Sequence, residues 1–446
     1  MDSASEASRN GMTAAPSHAS MRFRAARMMR SLLLPSTLAL CACAVSPLTT
    51  APVVAVENDS RISYAHLDHL YAEATVGGER VGVLNIYSEA PDYRFAIEPR
   101  EGYACVDDVA RAMVLLAADP QLDPARLNQL DMMTRFVLQM QADNGYFHNF
   151  IWQDGRINRE YRTSLAELNW WSLRALWGLE AALRKLPADS ETAARARAAT
   201  DRLVANLKRD LPLDRRVLEQ VEGIEVPTWL PFGAGADAGA AAMLGLIPYY
   251  RRTQDANARA LVARLGEGLM QMQAGDARTF PHGAHLSWRN QWHGWGNAQA
   301  YALLRAGTLL DRRDFTASAL AEIDHFYPYL LEHGMLTSFT LRAKGRGVEA
   351  TETERFPQIA YGLSPMILAS MEAYRITGQA RYRDTARRLG VWFSGTNDAG
   401  KPVYDPATGR VFDGIIAQGE ANPNSGAEST IEALLALRVL EGTALP

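Results

Sequence analysis

The chain is poor in cysteine and carries no excess of one charge, and each shortage excludes something. Three cysteines occur in 446 residues, at Cys41, Cys43 and Cys105. Past the leader only Cys105 remains besides Cys43, so there is no intramolecular disulfide framework. Cys105 lies between Ala104 and Val106 and reads as packed rather than reactive. A formal net charge of -4 offers no basic face, so no nucleic-acid partner is expected. No cluster of His, Cys or carboxylates has metal-ligand spacing, and there is neither a phosphate-cradling glycine loop nor a Gly-x-Ser-x-Gly elbow. No catalytic metal and no cofactor are expected. Strand-like alternation is scarce too, with Val81 to Ile86 the best example.

Long apolar runs are also missing. The apolar stretch Ser31 to Leu40 is too short for a permanent membrane span. It follows a basic segment, Met21-Arg22-Phe23-Arg24 through Arg27 to Arg30, in the manner of an export signal. The run ends in Leu40-Cys41-Ala42-Cys43, which resembles a bacterial lipobox. Ala42 suits the position before the cleavage, which makes Cys43 the lipidation candidate; Leu40 is too bulky to serve Cys41. Residues 1–43 are therefore read as a signal and lipoprotein export segment, with Met21 as an alternative start, and 44–60 as a tether. Membrane contact is expected through the lipid alone, on the outer membrane facing the periplasm.

From residue 61 onward the pattern is helix after helix. Apolar residues recur at three- and four-residue spacing, as in Val109, Met113 and Leu116, or Leu176, Leu179 and Leu183. The spacing predicts twelve helices: 62–75, 106–118, 126–142, 163–186, 190–209, 237–252, 256–273, 295–311, 314–333, 357–377, 380–394 and 426–440. They alternate in kind. Ala238 to Tyr250 is apolar almost all round, whereas Glu191 to Arg209 is one-sided, which predicts a buried inner ring and a solvent-facing outer ring. The inner helices start near Asp107, Ser164, Asp237, Gly296, Pro357 and Gly426, at intervals of about 57 to 73 residues. The expected fold is all-α, an (α/α)6 toroid of six helical hairpins with minor β structure in the loops, over 61–446.

The inner starts all fall on one face, where carboxylates, amides and aromatics gather beside Gly or Pro. Such a rim suits a carbohydrate: carboxylates and amides bond hydroxyl groups, and rings stack on the apolar faces of sugars. Cleaving a glycosidic bond needs two carboxyl groups flanking it, one to donate a proton and one to activate water or attack. The catalytic candidates are Asp107, Asp108, Glu428 and Glu167. Close like charges at Asp107-Asp108 push one pKa upward, as a general acid requires. Capping is the competing reading for acids at helix starts, and Glu428 three residues after Ser425 fits a capping box. Asp237 reads as a cap, and Glu354 is a further loop carboxylate. The substrate-binding candidates are Tyr103, Arg111, His148, Trp170, Trp229, Trp292, His293, Trp295 and Asp413.

The run Gly102-Tyr103-Ala104-Cys105-Val106-Asp107-Asp108-Val109-Ala110-Arg111-Ala112 resembles the Asp-Asp-x-Ala-Arg-Ala signature of a group within the six-hairpin glycosidase-like superfamily. Asn144 to Phe150 is similar to its Gly-x-Phe-x-Asn-Phe loop. Tyr404-Asp405-Pro406-Ala407-Thr408-Gly409 with Asp413-Gly414 is similar to a late loop, and Gly426-Ala427-Glu428-Ser429-Thr430 to the last inner-helix start. The resemblance implies the toroid fold and a glycoside hydrolase of inverting mechanism, exported if the leader is read as above. It places Asp107, Asp108, Arg111, Glu428, Asp405 and Asp413 in signature segments. A polysaccharide lyase or sugar epimerase on the same fold stays open, and a lyase would have Tyr103, His148, Tyr161, Arg162 and His293 available. A glycan-binding lipoprotein without catalysis is the third reading.

Overall fold

A computed structural model describes residues 62–212 and 214–446. The export segment, Cys43 and the tether lie outside the described residues. The rest contains twelve α-helices: α1 (Ala65–Leu70), α2 (Val106–Ala118), α3 (Pro124–Gln139), α4 (Trp170–Ala182), α5 (Glu191–Asp210), α6 (Ala236–Thr253), α7 (Ala256–Gln271), α8 (Gln299–Leu310), α9 (Arg313–His333), α10 (Ala360–Thr377), α11 (Ala380–Gly390) and α12 (Ala427–Leu440).

The even-numbered helices touch in the order α2, α4, α6, α8, α10, α12 and back to α2, which closes an inner ring. The odd-numbered helices pack outside it, and the short α1 lies against α12. The toroid is thus sealed by the first described helix on the last. His66 Nε2 meets the Ser425 carbonyl at 2.8 Å, and Arg438 of α12 donates to the Tyr64 hydroxyl at 3.0 Å. The ring follows from composition. All thirteen residues of α4 are buried, against nine of twenty in α5. A helix apolar on every side has to be surrounded; one with a single apolar stripe has to face water.

Connections are short at one end of the ring and long at the other. Two residues join α6 to α7, α8 to α9 and α10 to α11. The returns into α4, α6, α8, α10 and α12 run to between 25 and 36 residues. The β structure in these returns consists of small antiparallel ladders, such as Ala104–Cys105 with Phe150–Ile151 and the three-stranded set Gln291–His293, Ser338–Lys344 and Gly347–Glu354. Outer helices start on side-chain caps: Asp123, Ser190 and Asp255 each accept the N–H of the residue three further on. The N-cap residues of α6, α8, α10 and α12 supply no such side chain.

Two helices differ from expectation. The segment 62–75 is helical only over Ala65–Leu70; Tyr71–Val76 pairs with Glu79–Leu84 through a turn at Gly77 and Gly78, both at positive φ. The helix expected from 163 starts at Trp170. The Ser164 hydroxyl accepts the N–H groups of Asn149 and Phe150 and donates to the Asn158 carbonyl, which holds Thr163 to Asn169 as loop. The starts near Gly296 and Pro357 shift to Gln299 and Ala360.

The inner helices approach closely where α2 and α4 meet. A Cβ on Gly178 would sit 2.8 Å from the Ala110 carbonyl oxygen. Gly178→Val therefore forces the two helices apart, and urea unfolding should show a loss of roughly 1–3 kcal/mol despite the better helix propensity.

Candidate active site

The N-termini of the inner helices converge at the long-loop end, each bringing the positive end of a helix dipole. Carboxylates are favoured there, and they gather around one cation. Arg111 of α2 is 2% exposed. Its guanidinium donates to Asp108 at 2.6 Å, to Glu432 at 3.0 Å and to Glu428 at 3.2 Å. Asp107 Oδ2 lies 3.7 Å away. The Asp107 carboxylate itself is gripped by Arg174 of α4, through both oxygens. Arg174 also donates to the Tyr361 hydroxyl of α10 at 2.6 Å. Since α4 and α10 face each other across the ring, this bond crosses its bore. Both guanidinium groups lie over the Tyr361 ring, at 4.9 Å and 5.3 Å. The layer Arg111, Arg174 and Tyr361 floors the cleft.

The carboxyl groups on this floor are not equivalent. Burial pushes Asp108 up to about 6, against the pull of Arg111; its other oxygen accepts from the Cys105 thiol at 3.3 Å. Glu432 is raised by burial as well. Glu428 is the more open member of the Arg111 cluster, with 29% of its side chain exposed. The expected capping box at Ser425 and Glu428 does not form. Ser425 accepts the Val411 N–H, and Asp413 instead accepts the Gly426 N–H and the Ser429 hydroxyl, each at 2.7 Å. Burial lifts Asp413 to about 6 even so.

A second acid lies opposite. Asp237, in the first turn of α6, is buried, and burial raises it to about 7. It accepts the Ala238 N–H at 2.7 Å and the Trp170 side-chain N–H, and His293 Nε2 is 3.6 Å from its Oδ2. His293 is buried and held down to about 4, so the ring is neutral at pH 7. Its Nδ1 is 2.7 Å from the Trp295 carbonyl, an acceptor, which places the ring proton on Nδ1 and the lone pair of Nε2 toward Asp237. The imidazole stacks on Trp295 with centroids 4.2 Å apart. Trp170 stacks on Phe232, a residue held at φ +58 in the left-handed region that non-glycine residues avoid.

Asp107, Asp108, Arg111 and Glu428 therefore come together, and Asp237, His293, Trp170 and Trp295 form a second group. Asp237 is more than the cap that its position suggested. Glu167 lies in the loop before α4, bonded to Asn169, rather than in a helix. Trp229 is buried and donates to the Arg264 carbonyl; Trp292 has no exposure and packs between Phe326 and Phe339. Both are buried rather than on the rim, and so is Trp170, whose ring is stacked on Phe232. Both ring nitrogens of His148 are committed, Nδ1 to the Ser164 carbonyl and Nε2 to Arg159. Tyr103 is half-buried on the rim ladder, bonded to Ile151 through its backbone. Arg174, Tyr361 and Glu432 were not anticipated. Arg174 and Glu432 carried a signal: each is a charge inside an otherwise apolar helix.

No protein-family model matches the chain, and no curated protein matches it. Solved structures do. A sugar epimerase from a ruminal bacterium superposes with a TM-score of 0.57 at 11% identity, over 85% of this chain and 95% of that one. Cellobiose 2-epimerase from Bacillus thermoamylovorans gives 0.55 at 11%, over 84% and 95%. A family 76 glycoside hydrolase (mannosidase) from Bacteroides thetaiotaomicron gives 0.50 at 10%, over 83% and 95%. At such identities the likeness establishes the fold, and that fold is the (α/α)6 toroid. Among the described residues no group of His, Cys, Asp and Glu is placed to hold a metal ion.

Replacing Arg111 by Met leaves Asp108 and Glu432 buried without their cation. Loss of one partner from a buried pair costs about 3–5 kcal/mol. Denaturant unfolding of Arg111→Met should show that loss, larger at pH 8 than at pH 5, because protonation relieves the stranded carboxylates.

Proposed function

We propose that the chain is a carbohydrate-active enzyme and, within that class, a glycoside hydrolase that inverts configuration. The observation that carries this reading is the contrast between two carboxyl groups on opposite inner helices. Asp237 on α6 is raised by burial to about 7, without a guanidinium bonded to it among the described residues. Glu428 on α12 is open to the cleft and bonded to Arg111. A buried acid raised toward neutral pH on one side and a carboxyl group bonded to arginine on the other suit the two roles that glycosidic hydrolysis needs. Asp237 donates to the leaving oxygen; Glu428 takes a proton from water. Asp107 and Asp108 hold Arg174 and Arg111 and so fix Glu428 in place. Trp295, half-buried and stacked on His293, supplies stacking surface beside the acid. The sugar-acting neighbours on this fold support the substrate class and leave the reaction open.

One observation favours a second reading, a sugar epimerase or isomerase. The neutral His293 ring with its lone pair toward Asp237 is a ready acceptor for a proton beside a carbonyl. The products separate the two. Hydrolysis creates new reducing ends; epimerisation leaves the mass unchanged and carries solvent deuterium into the sugar.

The 61–446 body, incubated with a panel of oligosaccharides, should generate new reducing ends. On a substrate so found, Asp237→Asn and Glu428→Gln should each lower kcat by roughly 100-fold or more. Full activity in both variants would overturn the pair. Because Asp237 acts in its protonated form, kcat/KM should fall as pH rises through about 7, and Asp237→Asn should abolish that limb along with the rate.

We propose further that residues 1–43 direct export and that Cys43 carries the lipid. Metabolic labelling with a radioactive fatty acid should mark the full-length chain in a bacterial host and miss Cys43→Ala. Label retained in that variant would refute the assignment.

A further inference from the structure

Between the starts of α8 and α10, the long-loop end of the ring carries a pocket of about 20 Å³. Its walls are mostly apolar and include Trp295, Met335, Leu336, Ile359, Leu363 and Met366. Trp295, Met335, Leu336 and Ile359 are only half-buried, so the pocket lies at the surface and not in the core. It adjoins the candidate active site. Trp295 is shared: it lines the pocket and stacks on His293, whose Nε2 is 3.6 Å from Asp237. On the α10 side, Gly362 lines the pocket and directly follows Tyr361 of the cleft floor.

Two glycines leave this space free. Neither Gly294 nor Gly362 is at positive φ, so neither is needed for its backbone conformation. A Cβ on Gly294 would lie 3.4 Å from the Leu336 carbonyl oxygen, 3.6 Å from the Trp292 ring and 3.8 Å from Gly362 Cα, and all three of these residues line the pocket. A Cβ on Gly362 would meet nothing closer than Gly294, at 3.8 Å. Alanine therefore fits at both positions, and in the first turn of α10 it would be the better helix former. What the glycines provide is room for a guest.

Size and walls restrict that guest. The pocket holds about one water-sized sphere, which is also the scale of a methyl group. Apart from the indoles, the polar side chains in its lining are engaged. The Thr337 hydroxyl donates to the Pro357 carbonyl at 2.8 Å, and the Gln358 amide donates to Asp398 and accepts from Trp392. A hydroxyl placed there would lose its bonds to water, whereas a methyl group gains by burial.

We propose that the sugar bound in the cleft carries a methyl group, as the end of an acetamido substituent or as C6 of a 6-deoxy sugar, and that this pocket receives it beside Trp295. The inference rests on the proposed carbohydrate substrate class and on neither of the two reactions.

Matched sugars test it. The N-acetyl and N-formyl forms of glucosamine, galactosamine and mannosamine probe the acetamido source. L-Fucose against L-galactose and L-rhamnose against L-mannose probe the 6-deoxy source. Binding to the full chain, followed by tryptophan fluorescence, needs no turnover. In at least one pair the methyl-bearing sugar should bind roughly 10-fold or more tightly. Gly294→Ala and Gly362→Ala fill the pocket from opposite sides, and each should bring that pair close to equality; either serves if the other folds poorly. Equal binding within every pair, or a preference that survives in a folded alanine variant, would overturn this proposal alone. No binding of any of these sugars would overturn the substrate class along with it.

Discussion

The buried guanidinium of Arg111 is the interaction on which the working face of this toroid depends. Four carboxyl groups from two neighbouring inner helices lie around it: Asp107 and Asp108 from α2, Glu428 and Glu432 from α12. Without a central cation their mutual repulsion, in a setting that water barely reaches, would hold the two helix starts apart. With it, α12 is docked on α2 at the seam where the ring closes. The same contact orients Glu428, so ring closure and site geometry are one event. Arg174 extends the arrangement to α10 through Tyr361, and the floor of the cleft is set by two arginines and a tyrosine rather than by apolar packing.

The separation of stability from chemistry follows from the connections. Three connections at one end are two-residue turns, and side-chain caps start the outer helices α3, α5 and α7. The other end receives every long return. Helix starts at that end lack their own caps at α6, α8, α10 and α12, and distant residues meet the N–H groups of two of them: the Ser287 carbonyl at α6 and Asp413 at α12. A cap recruited from another loop ties loop conformation to helix position, which is how a rim of irregular chain acquires the rigidity that a binding site needs. The left-handed Phe232 under Trp170 is a local cost of the same arrangement.

Much of this was legible in the sequence, and the illegible part has identifiable causes. All-round apolar helices alternating with one-sided ones announce an inner and an outer ring, because burial on every side leaves no other place for them. Asp107, Asp108, Arg111 and Glu428 stand out through their motifs. Arg174 and Tyr361 do not, since they are 187 residues apart and meet only because α4 and α10 face each other in a closed ring. Trp229 and Trp292 show that aromatic content near a helix start says nothing of which way a ring points. Glu167 was misplaced for a different reason: Leu165 and Leu168 have helical spacing, but the three hydrogen bonds of the Ser164 hydroxyl decide the segment first.

Three buried acids differ in what accounts for their burial. Asp108, Asp413 and Asp237 are lifted by burial to about 6, about 6 and about 7. Unfolded, each would ionise near the ordinary carboxylate range around 4. Between the two values the folded chain binds protons that the unfolded chain has released, so these groups favour the fold fully only below that range and lose their contribution as pH rises through 6 and 7. A protein selected for stability alone at neutral pH would replace such residues by amides or apolar side chains. For Asp108 and Asp413 the hydrogen bonds to Arg111, Gly426 and Ser429 account for the retention. Asp237 accepts the Ala238 N–H and the Trp170 side-chain N–H, has no guanidinium bonded to it among the described residues, and lies 3.6 Å from a neutral imidazole. What such a carboxyl offers in return for its burial is a proton available near pH 7, and a proton donor is what the chemistry proposed for this cleft requires.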